Sequence, residues 1–376
     1  MIIARLGQFL IVLGEQLQAV EGRKLVLRWA RRLLWGVTAA YGFFLLLLFL
    51  SCRWVGEQNL TTAFLIFLPP LGWLLPLPLL SAATILFSWR MVCVQFLGAV
   101  AFLFVFMDLH FEHQAVPPPP HSISVLTFNR GESQGSLQPF KNLTHPDVIV
   151  LEDAGNRADA YLHSGGYSEF PIGRDLGQFT VLSKFPIESA SLPPMAGLNQ
   201  GSYPHAARFV LNWEGRLISL YAVHLPTPRD TLMACQRGAF LLGMVGISGT
   251  TLGEHRVSYE KFWVHQVALA RALIEDIKHD PNPVLLAGDF NAPSCGHVHH
   301  LVASNFQDSH EAAGSGFGFS FPGETHNPVA LFEPWLRIDY LYCDKQHWHT
   351  VWCQTEKERP SQHRAVCSCF QFLGAN

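Results

Sequence analysis

The stretch Val284–Pro293 reads VLLAGDFNAP. Its apolar residues stop at Gly288, and Asp289, Phe290 and Asn291 follow at once. A short Val/Leu-rich run bounded by a turn signal is the pattern of a strand buried on both faces. The same punctuation recurs outward in both directions. Ser122 to Phe128 ends in Asn129, Val148 to Leu151 in Glu152 and Asp153, and Leu217 to Val223 in His224. Ile338 to Tyr342 holds Asp339, and Ala365 to Phe370 follows Ser361, Gln362 and His363. Between them, Phe262 to Lys278 sets Phe262, Val267, Ala270, Leu273, Ile274 and Ile277 on one helical face. Strands that end in residues able to do chemistry, interleaved with a helix, predict an α/β domain whose site lies at strand ends. Taken singly, Asp289 and Asn291 can shape a turn, His224 can be a satisfied core histidine, and His363 a loop residue. Those readings require independent coincidences in one order.

The residues stand in LTFNR (Leu126–Arg130), HPDVIVLED (His145–Asp153), YAVHLP (Tyr221–Pro226), LAGDFNAP, RIDYLYC (Arg337–Cys343) and SQHRAV (Ser361–Val366), with LSKFPI at Leu182–Ile187. In that order they resemble the motifs of the endonuclease/exonuclease/phosphatase superfamily, from Ser122 to the C-terminus. An apolar N-terminal part joined to such a domain is similar to the superfamily's membrane-anchored bacterial branch. The resemblance implies an α/β fold, a four-layer sandwich of two packed β-sheets flanked by helices, here preceded by about three transmembrane helices. It implies a phosphoesterase that uses Mg2+ (or Mn2+), a hard cation suited to oxygen ligands. Asn129, with Glu152 or Asp153, would supply the metal cradle. Asp289 would orient or deprotonate the attacking water and Asn291 would bind a phosphoryl oxygen. His363 would contact the phosphate or accept a proton while Asp339 holds its ring, and His224 would meet the phosphate or protonate the leaving oxygen.

Two positions depart from the superfamily pattern. Alignment on Pro146-Asp147 puts Glu152 where the pattern has Gln and Asp153 where it has the metal-binding Glu. Adjacent strand residues face opposite sides, so the two are not expected to serve equally. Gln362 stands where the terminal motif has Asp, which predicts weaker metal binding or a lower rate. It also keeps open a catalytically inactive binding module.

Composition describes the rest of the chain. Of 376 residues, 49% are hydrophobic and 15% charged, against roughly 25% charged in soluble domains, which excludes a disordered or fibrous protein. Between Leu33 and Met107 the charges are Arg53, Glu57 and Arg90, and all 18 histidines lie at His110 or beyond. Leu33 to Ser51, Thr61 to Ala82 and Met91 to Met107 each approach the ~20 residues that cross hydrocarbon. The second stretch carries Pro69, Pro70, Pro76 and Pro78 and is expected to be kinked or re-entrant rather than a clean span. Apolar residues at helical spacing from Ile2 to Val20 predict an interfacial helix, without the small-residue site that ends a signal peptide. The expected organisation is 1–32 cytoplasmic or interfacial, 33–110 anchor, 111–121 proline-rich linker and 122–376 domain. Pro117 to Pro120 would act as a stiff spacer of about 3.1 Å per residue. Arg23, Lys24, Arg28, Arg31 and Arg32 precede the first stretch and place the N-terminus in the cytoplasm. Three crossings then put the domain outside the cytoplasm; two would invert that.

From Pro117 onward 18 basic residues face 24 acidic ones, a net charge of −6, which is a poor match for a nucleic-acid backbone. The expected substrate is a phospholipid headgroup or a small phosphodiester, with nucleic acid as the alternative and no protein partner inferred. The eight cysteines contain no CxxC pair, and Cys343, Cys353, Cys367 and Cys369 are either disulfide partners or buried thiols. His297, His299 and His300 are a weak transition-metal cluster. Phe332, Trp335, Trp348 and Trp352 form either a lipid-facing rim or core. The Gly-rich stretch Gly238 to Gly253 lacks a phosphate-loop ending.

Overall fold

Proline decides how the apolar first part folds. The computed structural model describes residues 20–111, 117–131, 135–201, 203–228, 251–323, 334–358 and 361–374. The first apolar stretch lies in α1 (Val20–Leu50), and the helical run Gly22–Trp54 is long and apolar enough to cross a membrane, as is Trp89–Phe106. The middle stretch breaks. Its helices, α2 (Leu60–Ile66) and the run Pro70–Ile85 that contains α3 (Pro76–Ile85), meet at a 94° bend, where Pro69 and Pro70 offer no amide hydrogen to continue the ladder. Candidate spans therefore number two, or three if the bent pair counts as one. The described residues up to Phe49 and Pro70–Phe106 form one compact unit, and Leu50–Pro69 with Met107 onward form the other. In the first unit, Gln95 of α4 (Trp89–Ala101) donates to Thr38 Oγ1 at 3.0 Å and accepts from Ser81 Oγ at 2.7 Å. That amide ties three apolar helices together, as polar groups do where hydrophobicity supplies no discrimination. In the second unit, Leu60 and Ala63 of α2 pack against Tyr259 and Trp263, so half of the expected middle span is domain packing. The interfacial helix expected from Ile2 falls largely outside the described residues.

Side-chain alternation builds the second unit. Its strands are β1 (His110–Phe111), β2 (Ser122–Asn129), β3 (Val148–Glu152), β4 (Ile172–Leu176), β5 (Phe179–Ser183), β6 (Ile187–Ser191) and β7 (Ala206–Trp213). Then follow β8 (Arg216–His224), β9 (Val284–Asp289), β10 (Gln307–Asp308), β11 (Ser315–Gly316), β12 (Asp339–Cys343), β13 (Trp348–Thr355) and β14 (Val366–Phe372). Two six-stranded sheets form, ordered β13-β14-β2-β3-β5-β4 and β10-β12-β9-β8-β7-β6. Between them lie Ile123, Val125, Val148 and Val150 from one sheet and Leu220, Ala222, Leu285, Ala287 and Leu341 from the other. The intervening residues face outward. Leu126, Phe128, Ile149 and Leu151 meet α5 (Gln138–Thr144) and α6 (Ala158–Leu162). Tyr221, Val223, Leu286 and Tyr340 meet α7 (Thr251–Lys278) and α8 (His297–Asn305). This is the expected four-layer sandwich. Among the described residues parallel pairing is confined to β2 with β3 and β8 with β9, and the long α7 supplies the crossover that β8 and β9 require.

Candidate active site

The period of two that fills the space between the sheets also builds the site. Val125 and Asn129 share a parity in β2, as do Ala222 and His224 in β8, Ala287 and Asp289 in β9, and Leu341 and Asp339 in β12. Each polar residue therefore continues an inward-facing row to one end of the intersheet space. Register then aligns them: His224 pairs with Asp289 in the parallel ladder, and Asp289 with Asp339 in the antiparallel one. Gly288 permits this alignment, because a Cβ there would come 1.9 Å from the Val223 carbonyl oxygen.

Asp289 is the hub. Its Oδ2 accepts from Asn129 Nδ2 at 2.9 Å and Asn291 Nδ2 at 3.2 Å, and its Oδ1 accepts from the Asn291 amide at 2.8 Å. His224 Nε2 and His363 Nε2 stand 3.7 and 3.8 Å from the same Oδ2. These separations exceed a direct hydrogen bond and still couple the charges. Burial, then the Asp339 carboxylate, push the Asp289 carboxyl above its ordinary range, while His363 and His224 pull it down. Asp339 lies 3.1 Å from His363 Nδ1, which assigns the proton to Nδ1, and Nε2 faces Asp289. Burial pushes His224 below the ordinary imidazole value against the pull of Asp289 and Asp153, so its resting form is neutral. Asn291 spends its remaining amide hydrogen on the Leu225 carbonyl at 2.9 Å. In this arrangement it orients Asp289, and contacting a phosphoryl oxygen would require it to release a bond.

Glu152 and Asp153 both reach the site, against the expectation from strand alternation. The reason is local: Asp153 follows the last residue of β3 and takes a positive φ of 50°, so the alternation ends there. Glu152 is buried, Thr127 Oγ1 donates to its Oε1 at 2.6 Å, and its Oε2 has no partner. Burial pushes that carboxyl well up, with Asp339 and Asp289 adding to the effect. Asp153 is partly exposed and accepts a hydrogen bond from Tyr203. A Cβ on Gly131 would meet Asp153 Oδ2 at 2.8 Å and Asn129 Oδ1 at 3.2 Å, so two hard oxygens converge on one small cradle. That donor set fits a divalent cation of the magnesium type. Asp289, Asp339 and His363 also offer ligand atoms within 4.8 Å of one another.

Several members were not visible as motifs. Gln178 Oε1 accepts from His224 Nδ1 at 2.5 Å while its Nε2 donates to the Pro204 carbonyl at 2.8 Å. Ser320 Oγ accepts from the amides of Ile338 and Asp339 at 3.3 and 3.2 Å. A buried glutamine before an apolar strand was the available signal for Gln178; Ser320 offered none. Gln362 is half-buried, and its carbonyl accepts from Gly323 at 2.6 Å. The histidine cluster does not form a transition-metal centre. His299 Nε2 lies 2.8 Å from Asp308 Oδ2, and that oxygen already accepts from Arg337 Nη1 at 2.6 Å. Trp348 and Trp352 are buried core rather than a rim, and Cys343, Cys353, Cys367 and Cys369 are buried free thiols. Phe332 and most of the Gly-rich stretch fall outside the described residues.

The chain is similar to solved structures of this architecture. A humanized D. rerio TDP2 is 15% identical over 67% of this chain and 99% of its own, with a TM-score of 0.45. The Bacteroides vulgatus endonuclease/exonuclease/phosphatase is 13% identical over 67% and 99%, with a TM-score of 0.44. The human Nocturnin catalytic domain is 13% identical over 68% and 96%, also at 0.44. No curated protein matches the sequence. The sequence pattern of the endonuclease/exonuclease/phosphatase family matches residues 133–363, well over half of the chain. The chain therefore belongs to the endonuclease/exonuclease/phosphatase family.

Proposed function

We propose that the chain is a membrane-anchored phosphodiesterase that hydrolyses a phospholipid headgroup or a small phosphodiester with Mg2+ or Mn2+. The observation that carries this reading is Asp289 Oδ2, ringed by two amides and two imidazole nitrogens at the mouth of the intersheet space. A carboxyl raised by burial is a stronger base, and Asp289 takes the proton of the attacking water. His363, its Nδ1 proton held by Asp339, would donate to a phosphoryl oxygen once Nε2 is protonated, and His224, neutral at rest, would give a proton it takes up at Nε2 to the leaving oxygen as the P–O bond breaks. Asn129 and Asp153 would hold the cation, with Glu152 behind them. When bound, the cation offsets phosphate charge and stabilises charge growing on the phosphoryl oxygens. The net charge of −6 from Pro117 onward disfavours a polyanionic backbone.

The test uses the full chain in mild detergent with bis(4-nitrophenyl) phosphate, phospholipid vesicles and DNA, each with Mg2+ or Mn2+. Hydrolysis of the first two is the expected result, and preference for DNA would assign a nuclease instead. Gln362 favours a second reading, the inactive module. That reading gains if the wild type hydrolyses none of the three and Gln362→Asp hydrolyses one.

The fold also bears on topology. Counted as three crossings, with the bent pair as one span, the apolar helices put the N-terminus opposite the domain. The basic cluster Arg23 to Arg32, with Arg90 between the later stretches, supports a cytoplasmic N-terminus. A reporter after Asn376 should label as extracytoplasmic; cytoplasmic labelling would overturn this.

A further inference from the structure

Two acidic residues outside every catalytic motif end in the packing behind the site. Glu57, from the loop after α1, is wholly buried. Its Oε2 accepts from the amides of His297 and Val298, at 2.7 and 3.1 Å, at the start of α8. The approach is backbone to backbone. A Cβ on Gly56, whose φ is +42°, would come 2.5 Å from the His297 nitrogen, and one on Gly296 would come 2.5 Å from Glu57 Oε1. Asp108, just past the last apolar helix, accepts from Arg337 Nη2 and lies 2.7 Å from His110 Nε2. Arg337 is the first residue of the RID motif and donates through Nη1 to Asp308 at 2.6 Å; His299 of α8 meets the same carboxylate at 2.8 Å. Burial opposes the charge on Asp108, and the Arg337 guanidinium overcomes it, holding the carboxyl below its ordinary range.

Tyr340 joins this network to the catalytic strands. Its ring stacks on His299 at 5.1 Å and lies 4.7 Å under the Arg337 guanidinium. Its hydroxyl donates to the Ala292 carbonyl at 2.7 Å and the Arg337 carbonyl at 2.5 Å. Ala292 follows Asn291, and Tyr340 follows Asp339.

We propose that Glu57 and Asp108 are positioning residues for the active site. The two loops that join the apolar helices to the domain each lend one carboxylate, and these hold the backbone of GDFNA and RIDY in register. The domain is therefore complete only with these two loops. A carboxylate that bridges buried donors fixes them more firmly than solvent can.

This inference rests on the proposed reading of the site, but its main measurement does not require hydrolysis. Full-length protein in detergent is compared by amide hydrogen exchange as wild type, Asp108→Asn, Asp108→Glu, Glu57→Gln and Glu57→Asp. Both neutral variants should raise exchange at Phe290–Ala292 and Ile338–Tyr340 by about tenfold or more, and the shorter or longer acids should restore part of it. On bis(4-nitrophenyl) phosphate, kcat should fall while KM holds. Unchanged exchange at those residues in both folded neutral variants, or a rise confined to residues 297–298 and 108–111, would overturn the proposal. Where a neutral variant does not fold, a protease site inserted after Glu112 in the otherwise wild-type chain decides. The cleaved domain should stay with the fragment bearing Glu57 and Asp108 through gel filtration, and its separation would overturn the proposal.

Discussion

The domain gathers metal-capable side chains in two places, Asp289 with Asp339 and His363, and His299 with Asp308 and Glu311. The second balances its charge internally: Arg337 reaches Asp308 and Asp108 together, and the oxygen of Asp308 that meets His299 is the one that accepts from Arg337. The described partners of Asp289 and Asp339 are amides, a hydroxyl-anchored backbone and imidazoles instead. A buried carboxylate without a guanidinium is costly to ionise, burial pushes the Asp289 carboxyl up, and the proposed cation would offset that charge. Like residue types thus sit in opposite surroundings: one cluster is closed by a guanidinium, while the other, the open one, carries the proposed chemistry.

That contrast can be broken most sharply by exchanging readouts. Asp289→Ala and His363→Ala should each lower turnover about 10²-fold or more with little change in unfolding midpoint. Arg337→Ala strands the buried Asp308 and the half-buried Asp108 and should cost ~3–5 kcal/mol of stability in denaturant titration. Activity surviving in folded Asp289→Ala would erase the distinction.

Cation binding sharpens the comparison further. Mg2+ or Mn2+ at a hundredfold excess over its Kd should stabilise the wild type by about 2.7 kcal/mol. Asp153→Asn should lose most of that increment in a thermal melt, while His299→Ala should keep it on a lower baseline. Retention by Asp153→Asn together with loss in Glu152→Gln would move the cradle to the neighbouring carboxyl.

A smaller effect is expected at Gln178. Without its acceptor, His224 is free to change tautomer, and Gln178→Ala should reduce kcat about tenfold, the equivalent of one hydrogen bond of ~1–1.5 kcal/mol. A shifted pH profile separates this from simple loss of packing. The mildest change is Glu152→Gln. Because burial raises this carboxyl in the folded protein, its contribution to stability is full below the unfolded carboxylate pKa. It is lost as pH rises through the shifted value. The amide should flatten that dependence in denaturant titrations at stepped pH and leave turnover within about threefold.

The open cluster was legible in the sequence and the closed one was not. Asn129, His224, Asp289 and Asp339 each terminate or begin an apolar run, so period-two alternation points them inward. His363 is carried by a recognisable motif. Asp153 escaped the same rule because a left-handed residue ends its strand. Glu57, Asp108 and Gln178 find partners 46 to 241 positions away, and no local pattern registers such pairings. The apolar stretch from Thr61 was legible as a broken helix from its prolines. That its first half packs on Trp263 follows from contacts that only the folded chain creates.

The close approach of Gly56 to His297, and of Gly296 to the Glu57 side chain, bears on how this protein can be rebuilt. A tether that merely concentrates an enzyme at a surface can be exchanged for any other of suitable length. Here a substitute would need a side-chain-free residue, followed by an acid, opposite a second residue without a side chain. Chimeras that graft the domain onto a foreign anchor should consequently express poorly unless Leu50–Pro69 and Met107–Phe111 travel with it. The natural seam for recombination lies at the ends of the apolar helices, at Phe49 and Pro70 on one side and Phe106 on the other.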